Sequence, residues 1–150
     1  MGWIGFGLKV KGKFENDIWI GNNNSKDEWC VAYHGVGRNQ ESEKVKTITK
    51  KIVIEGFKIG PNQEHEVCDD IFHPGKKVGK GVYCFSSINT AELYSGISKI
   101  NGIPFKTVLI VRVKSDAIRM CQDYIGYWIV NGTFDEIRPY RILYKRCKEK

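Results

Sequence analysis

The sequence predicts an α+β domain, mainly antiparallel β-sheet with two or three short helices. Three observations carry this. Short runs rich in Val, Ile, Tyr, Trp and Phe recur along the chain, bounded by glycine and asparagine. The run Thr107-Val108-Leu109-Ile110-Val111-Arg112-Val113 is nearly continuously apolar, as a central strand buried on both faces must be. The clearest helical period lies in 41–55, where Val45, Ile48 and Ile52 fall on one face. A chain of 150 residues, 41% hydrophobic and 27% charged, is long enough to bury a core and too apolar to stay disordered.

The elements follow in order. Residues 3–10 suit an opening strand, and Asn22-Asn23-Asn24-Ser25 is a loop by composition. Trp29-Cys30-Val31-Ala32-Tyr33-His34 is a buried strand that enters a turn at Gly35 and Gly37. The 41–55 helix stops at Gly56. Residues 60–81, rich in Gly, Pro, Asn, Asp and Lys, read as a long mobile loop of the kind that carries function. Val82-Tyr83-Cys84-Phe85 is a strand, and Ser86 to Asn89 offer N-cap chemistry to a short helix through Tyr94. Tyr127-Trp128-Ile129-Val130, the turn Asn131-Gly132 and 137–144 suggest two closing strands joined by a turn, with Pro139 at an edge or a bulge.

Composition bounds the setting. No apolar run approaches the ~20 residues that cross a bilayer, and the N-terminus has neither a basic region nor a long apolar stretch, so no signal peptide is expected. Phe6 stands where a myristoylation motif needs Ser or Thr. The five cysteines, odd in number and without a Cys-x-x-Cys pair, argue against a disulfide framework and for reduced thiols, hence a soluble intracellular protein of cytoplasm or nucleus with no membrane partner. Cys30 and Cys84 read as small buried hydrophobes. His65, Cys68 and His73 are of metal-ligating types but lack a fourth partner at suitable spacing; they read as solvated loop residues, and no metal is expected. The net charge of +7 favours anionic partners, nucleotide or nucleic acid, although no aromatic-basic signature of a nucleic-acid module accompanies it.

One ordered set of residues is not required for folding. A histidine ends a strand and is followed at once by glycine; Gly79-Lys80-Gly81-Val82-Tyr83 enters a second strand; Tyr94 lies on a short helix, and Tyr127 opens a late strand. Such a set suits a nicotinamide dinucleotide. Tyrosine rings can face the flat ring, glycine lets the backbone approach a carboxamide, histidine can donate to a ribose hydroxyl, and Lys58, Lys76, Lys77 and Lys80 can meet phosphates.

These anchors, with Gly56-Phe57-Lys58-Ile59-Gly60-Pro61 and 91–94, resemble in order and spacing the catalytic domain of the poly(ADP-ribose) polymerase (PARP) group, the diphtheria-toxin-type ADP-ribosyltransferases, over 29–145. The resemblance implies a single PARP-like ADP-ribosyltransferase domain spanning 1–150 and NAD as co-substrate. It makes His34, Tyr83 and Tyr127 the triad, in a His-Tyr-Tyr variant of His-Tyr-Glu. His34 would bind the nicotinamide-ribose hydroxyl, Gly35 the carboxamide, Tyr94 would stack on the ring, and Lys58 and Thr90 would complete the NAD contacts. Three departures from the family pattern stand out: Tyr127 replaces glutamate, Val36 replaces Ser or Thr, and Ala91 replaces a serine, with Thr90 and Ser87 as the nearby hydroxyls that could compensate. Asp135 and Glu136, the nearest carboxylates, lie beyond the strand. The implied activity is therefore mono-ADP-ribosyl transfer to a protein acceptor, with a nucleic-acid end as the second acceptor. A catalytically inactive NAD- or ADP-ribose-binding module and a basic nucleic-acid-binding domain are the alternatives. Each residue also has a plainer reading: the three tyrosines as core, the lysines as solvated charges, and Arg138 and Arg141 as pins of the last strand or part of a basic face.

Overall fold

The computed structural model describes residues 2–21, 25–60, 63 and 65–148; Asn22 to Asn24 and Pro61, named above, lie outside them. The apolar run becomes β5 (Ile103–Val113), paired antiparallel with β2 (Cys30–Gly35) on one side and β8 (Ile137–Arg146) on the other. That position explains its composition, since Thr107, Val108, Leu109, Val111, Arg112 and Val113 are all buried. β1 (Ile4–Gly7) closes one end on β8; beyond β2 the sheet continues through β3 (Val82–Phe85), β7 (Tyr127–Val130) and β6 (Arg119–Met120). β4 (Ile97–Ile100) folds back onto β5, completing an eight-stranded sheet. Among the described residues all the strand pairings are antiparallel, and with two α-helices beside them the fold is α+β and mainly antiparallel.

The faces of the sheet bury different things. Helix α1 (Ser42–Glu55) lays Val45 and Ile52 against Ala32, Val36, Leu109, Val111, Val113 and Ile137; each such fully buried side chain contributes about 1.5–3 kcal/mol. The helix ends at Gly56, whose N–H donates to Ile52 O at 3.0 Å. A second cluster is built from Phe85, Ala91, Val108 and Leu143, with Tyr33, Tyr83, Tyr94 and Tyr127 packed on it. Helix α2 (Ile88–Leu93) brings Ala91 into this cluster; Ser87 caps it by position but makes no side-chain cap bond.

Several expectations need correcting. The two closing strands do not pair with each other: β7 pairs with β3 and β6, and β8 with β5 and β1. Asn131-Gly132 is therefore no hairpin turn, and Glu136 accepts hydrogen bonds from the Asn131 backbone and side-chain amides instead. Pro139 sits at a bulge, where the β5–β8 register shifts between Ile110 and Val111. A tight hairpin does form at β4–β5, turning on Asn101 (φ 52°) and Gly102 (φ 78°), the left-handed pair such a turn demands.

The 60–81 loop, expected to be mobile, is tied down in its described part. Cys68 is bonded to Cys121, with Cα atoms 5.5 Å apart, so these two thiols are not reduced. Buried Asp70 accepts from Phe72 N–H (3.0 Å), Met120 N–H (3.2 Å) and the His73 ring (2.6 Å). Burial opposes charge on this carboxylate, but those donors outweigh it and hold it below the ordinary carboxylate range. Arg138 resolves as a pin, buried with its guanidinium 3.9 Å from the Phe14 ring and 4.2 Å from that of Trp29, whereas Arg141 is exposed. No helix among the described residues is long and apolar enough to cross a membrane.

Candidate functional site

β2 and β3 are adjacent, but their register contains one pair, Tyr33 with Phe85. Beyond it the side chain of His34 does the bridging. Its Nδ1 lies 2.7 Å from Tyr83 O. A carbonyl only accepts, so the Nδ1 proton is committed there and neutral His34 presents Nε2 as an acceptor. Burial pushes the His34 pKa below the ordinary imidazole value of 6.5, with the Tyr83 bond opposing. The donor role expected of this ring is therefore not open to it in the neutral form; it offers an acceptor instead.

Gly35 has two properties that only its place explains. Val36 N–H donates to Thr107 O at 3.2 Å, and antiparallel pairing alternates the direction of backbone groups. The N–H and C=O of Gly35 therefore point away from β5, toward β3 and the gap His34 bridges. A Cβ at Gly35 would lie 2.1 Å from Ala91 O and 2.8 Å from the Tyr94 carbonyl carbon, so glycine lets the end of α2 close against β2. That contact places Tyr94. Its ring stacks on Phe85 (4.8 Å, 21°), and Arg38 lies over it at 5.2 Å.

On the α1 side of His34 is a cavity of about 350 Å³, lined by Lys44, Ile48, Lys51, Ile52, Phe57 and Lys58 among others, none of them acidic. Phe57 meets the His34 ring edge-on at 4.9 Å. Lysines around an apolar floor suit an anion attached to a flat or apolar group. Lys58 thus stands beside His34. Lys76 and Lys80 are exposed and Lys77 pairs with Asp69, so this part of the expected phosphate set does not line that cavity.

Tyr127 is half-buried and packs on Phe85 (4.9 Å), Tyr94 (6.4 Å) and Tyr124 (5.4 Å). The His34 ring thus meets the backbone of Tyr83, while the Tyr83 and Tyr127 rings pack in the second cluster with Phe85. Thr90 is half-buried on α2, Ser87 exposed at its start, Ala91 and Val36 fully buried. Glu136, one of the two nearest carboxylates in sequence, is engaged with the Asn131 amides. His65, read as solvated, is instead buried among Tyr83, Tyr124 and Tyr127.

The residues missed in sequence divide by the signal they left. Lys44 and Lys51 share a helix face with Ile48 and Ile52, already read as apolar, at spacings of three and four, a readable pattern. Arg38 and His65 reach their places through loop geometry and left none. Comparison of the chain with protein-family models, curated proteins and solved structures finds no match.

Proposed function

We propose that the chain is a mono-ADP-ribosyltransferase, an NAD-dependent enzyme that moves ADP-ribose to a protein acceptor and releases nicotinamide. The observation that carries this reading is the junction of His34, Gly35 and Tyr83. An imidazole acceptor, an outward-facing glycine amide pair and a tyrosine strand converge at one gap, with a lysine-lined cavity beside them. In this reading the Gly35 backbone pairs with the carboxamide, His34 Nε2 accepts from the ribose hydroxyl, Tyr94 faces the ring, and Lys44, Lys51 and Lys58 meet the pyrophosphate. The nicotinamide N-glycosidic bond breaks with its electron pair leaving on nicotinamide; the acceptor's nucleophile forms the new bond at that carbon and loses its proton to solvent. Orientation and electrostatics supply the rate. With tyrosine at position 127 there is no carboxylate to activate a growing chain, which favours single transfer.

The same missing carboxylate favours a second reading, a module that binds NAD or ADP-ribose without turnover. Incubation with labelled NAD separates the two: labelled protein and free nicotinamide, both lost in His34→Ala, support the transferase. Calorimetric NAD binding without nicotinamide release supports the module. Binding of random oligonucleotides that falls with salt and ignores His34→Ala, with no response to NAD, would overturn both.

A further inference from the structure

The Tyr127 corner of the candidate site is closed by a residue that no motif assigns. His65 is 7% exposed; its ring centroid lies 4.0 Å from that of Tyr124, 5.8 Å from Tyr127 and 6.0 Å from Tyr83. An imidazole is an uncommon choice for such a position, because its ring nitrogens lose water there. What holds it is a run of short links. Cys68 N–H donates to His65 O at 3.0 Å, Cys68 is bonded to Cys121, Tyr124 N–H donates to Cys121 O at 3.1 Å, and Tyr127 N–H to Tyr124 O at 3.1 Å. At the other end of the loop the Gln63 carboxamide donates to Gly81 O (2.6 Å) and accepts from Gly81 N–H (2.7 Å), which fastens it just before Tyr83.

We propose that His65 is a positioning residue of the transfer site, setting the rings of Tyr127 and Tyr83 against the nicotinamide ribose, with the Cys68–Cys121 bond holding it in register. The inference rests on the ADP-ribosyl-transfer reading. A carboxylate at position 127 would act through its charge. A tyrosine acts through where its ring stands, and a half-buried ring is fixed only by what packs on it. Phe85 packs on one part of Tyr127 and His65 on another, edge-on at 75°. The corner then orients the donor without offering a base.

The test uses the unaltered chain first. It has three histidines, so its imidazole NMR signals can be assigned individually. The His65 signals are expected upfield, shielded by the tyrosine rings, to shift on adding nicotinamide, and to move to the position of an exposed imidazole when the disulfide is reduced. In turnover, His65→Gln is expected to lower kcat for nicotinamide release about ten- to a hundredfold with the KM for NAD nearly unchanged, the signature of lost orientation. His65→Phe, which restores a ring, recovers most of that loss. Signals that ignore nicotinamide, or an unchanged kcat in His65→Gln, overturn the proposal while NAD binding lost in His34→Ala leaves the reading beneath it standing. Should His65→Gln not fold, the nicotinamide shift on the unaltered chain decides. No NAD binding by the unaltered chain overturns the reading and this inference together.

Discussion

The two sides of the candidate site are built by different means. The His34–Gly35 side is sheet: β2 is locked to β5 over six register pairs, and Gly35 is clamped by α2. The His65–Tyr127 side is loop against strand end, held by one covalent bond and a few backbone hydrogen bonds. A wall made by strand register is fixed when the core folds. A wall made by a cross-linked loop depends on the link, so the two sides should fail separately.

The largest effect should come from cutting that link. Cys121→Ser opens a loop of 53 residues, for which the loop-entropy relation gives about 4 kcal/mol of lost stability. Urea unfolding measures it, and a matching loss should appear in the unaltered chain under reductant. A midpoint indifferent to reductant would show the loop to be held by its hydrogen bonds alone. On the sheet side, Gly35→Ala sets a Cβ 2.1 Å from a backbone oxygen and should destabilise by about 3 kcal/mol, in the upper range for overpacking. Unlike the first variant, it should do so equally with and without reductant. A loss under 1 kcal/mol would mean that α2 gives way more easily than the packing implies.

That contrast also explains what could be read in advance. β2, α1, β3 and the core of β5 were legible because each is short, patterned and bounded by glycine or a polar turn. The His34–Gly35–Tyr83 grouping was legible because strand ends carried it. The pairing partners of β7 and β8 were not, since proximity in sequence suggested a hairpin while the sheet separates them by β5, β2 and β3. The disulfide was hidden by an odd cysteine count: three cysteines stay free, and burial pushes the Cys84 and Cys30 thiols up, away from reactivity. His65 was hidden with it, because the Cys68–Cys121 bond and the backbone bonds of 69–71 to 120–122, none of them signalled in the sequence, bring its loop to Tyr124.

Asp70 offers a finer probe of the loop side. Removing its charge in Asp70→Asn weakens two backbone bonds and the pairing with His73, and should cost about 2 kcal/mol at neutral pH. The sign is set by its lowered pKa. A depressed carboxylate contributes stability above its unfolded pKa of 3.8 and loses it as pH falls through the folded value. The gap between variant and parent should therefore be constant near neutrality and close below about pH 4. A gap that persists in strong acid would assign the effect to shape rather than charge.

The smallest effect belongs to His34, and it opposes the two sides most directly. Its folded pKa lies below 6.5 because burial disfavours the imidazolium. Above pH 6.5 both folded and unfolded chains carry it neutral, and it contributes no slope. Below that value the unfolded chain takes up the proton first, so stability declines as pH falls from 6.5 toward the folded pKa and levels off beyond it. Binding follows the same variable, since protonation at Nε2 converts the acceptor into a donor. NAD affinity, measured calorimetrically, should be flat from pH 8 to the ordinary imidazole range of about 6.5 and fall only in more acid solution. That fall should be absent in His34→Gln. An affinity that already drops between pH 8 and 7 would mean that the ring is more open to water than its contacts with Tyr83 and Phe57 imply, and the sheet side would then share the weakness of the loop side.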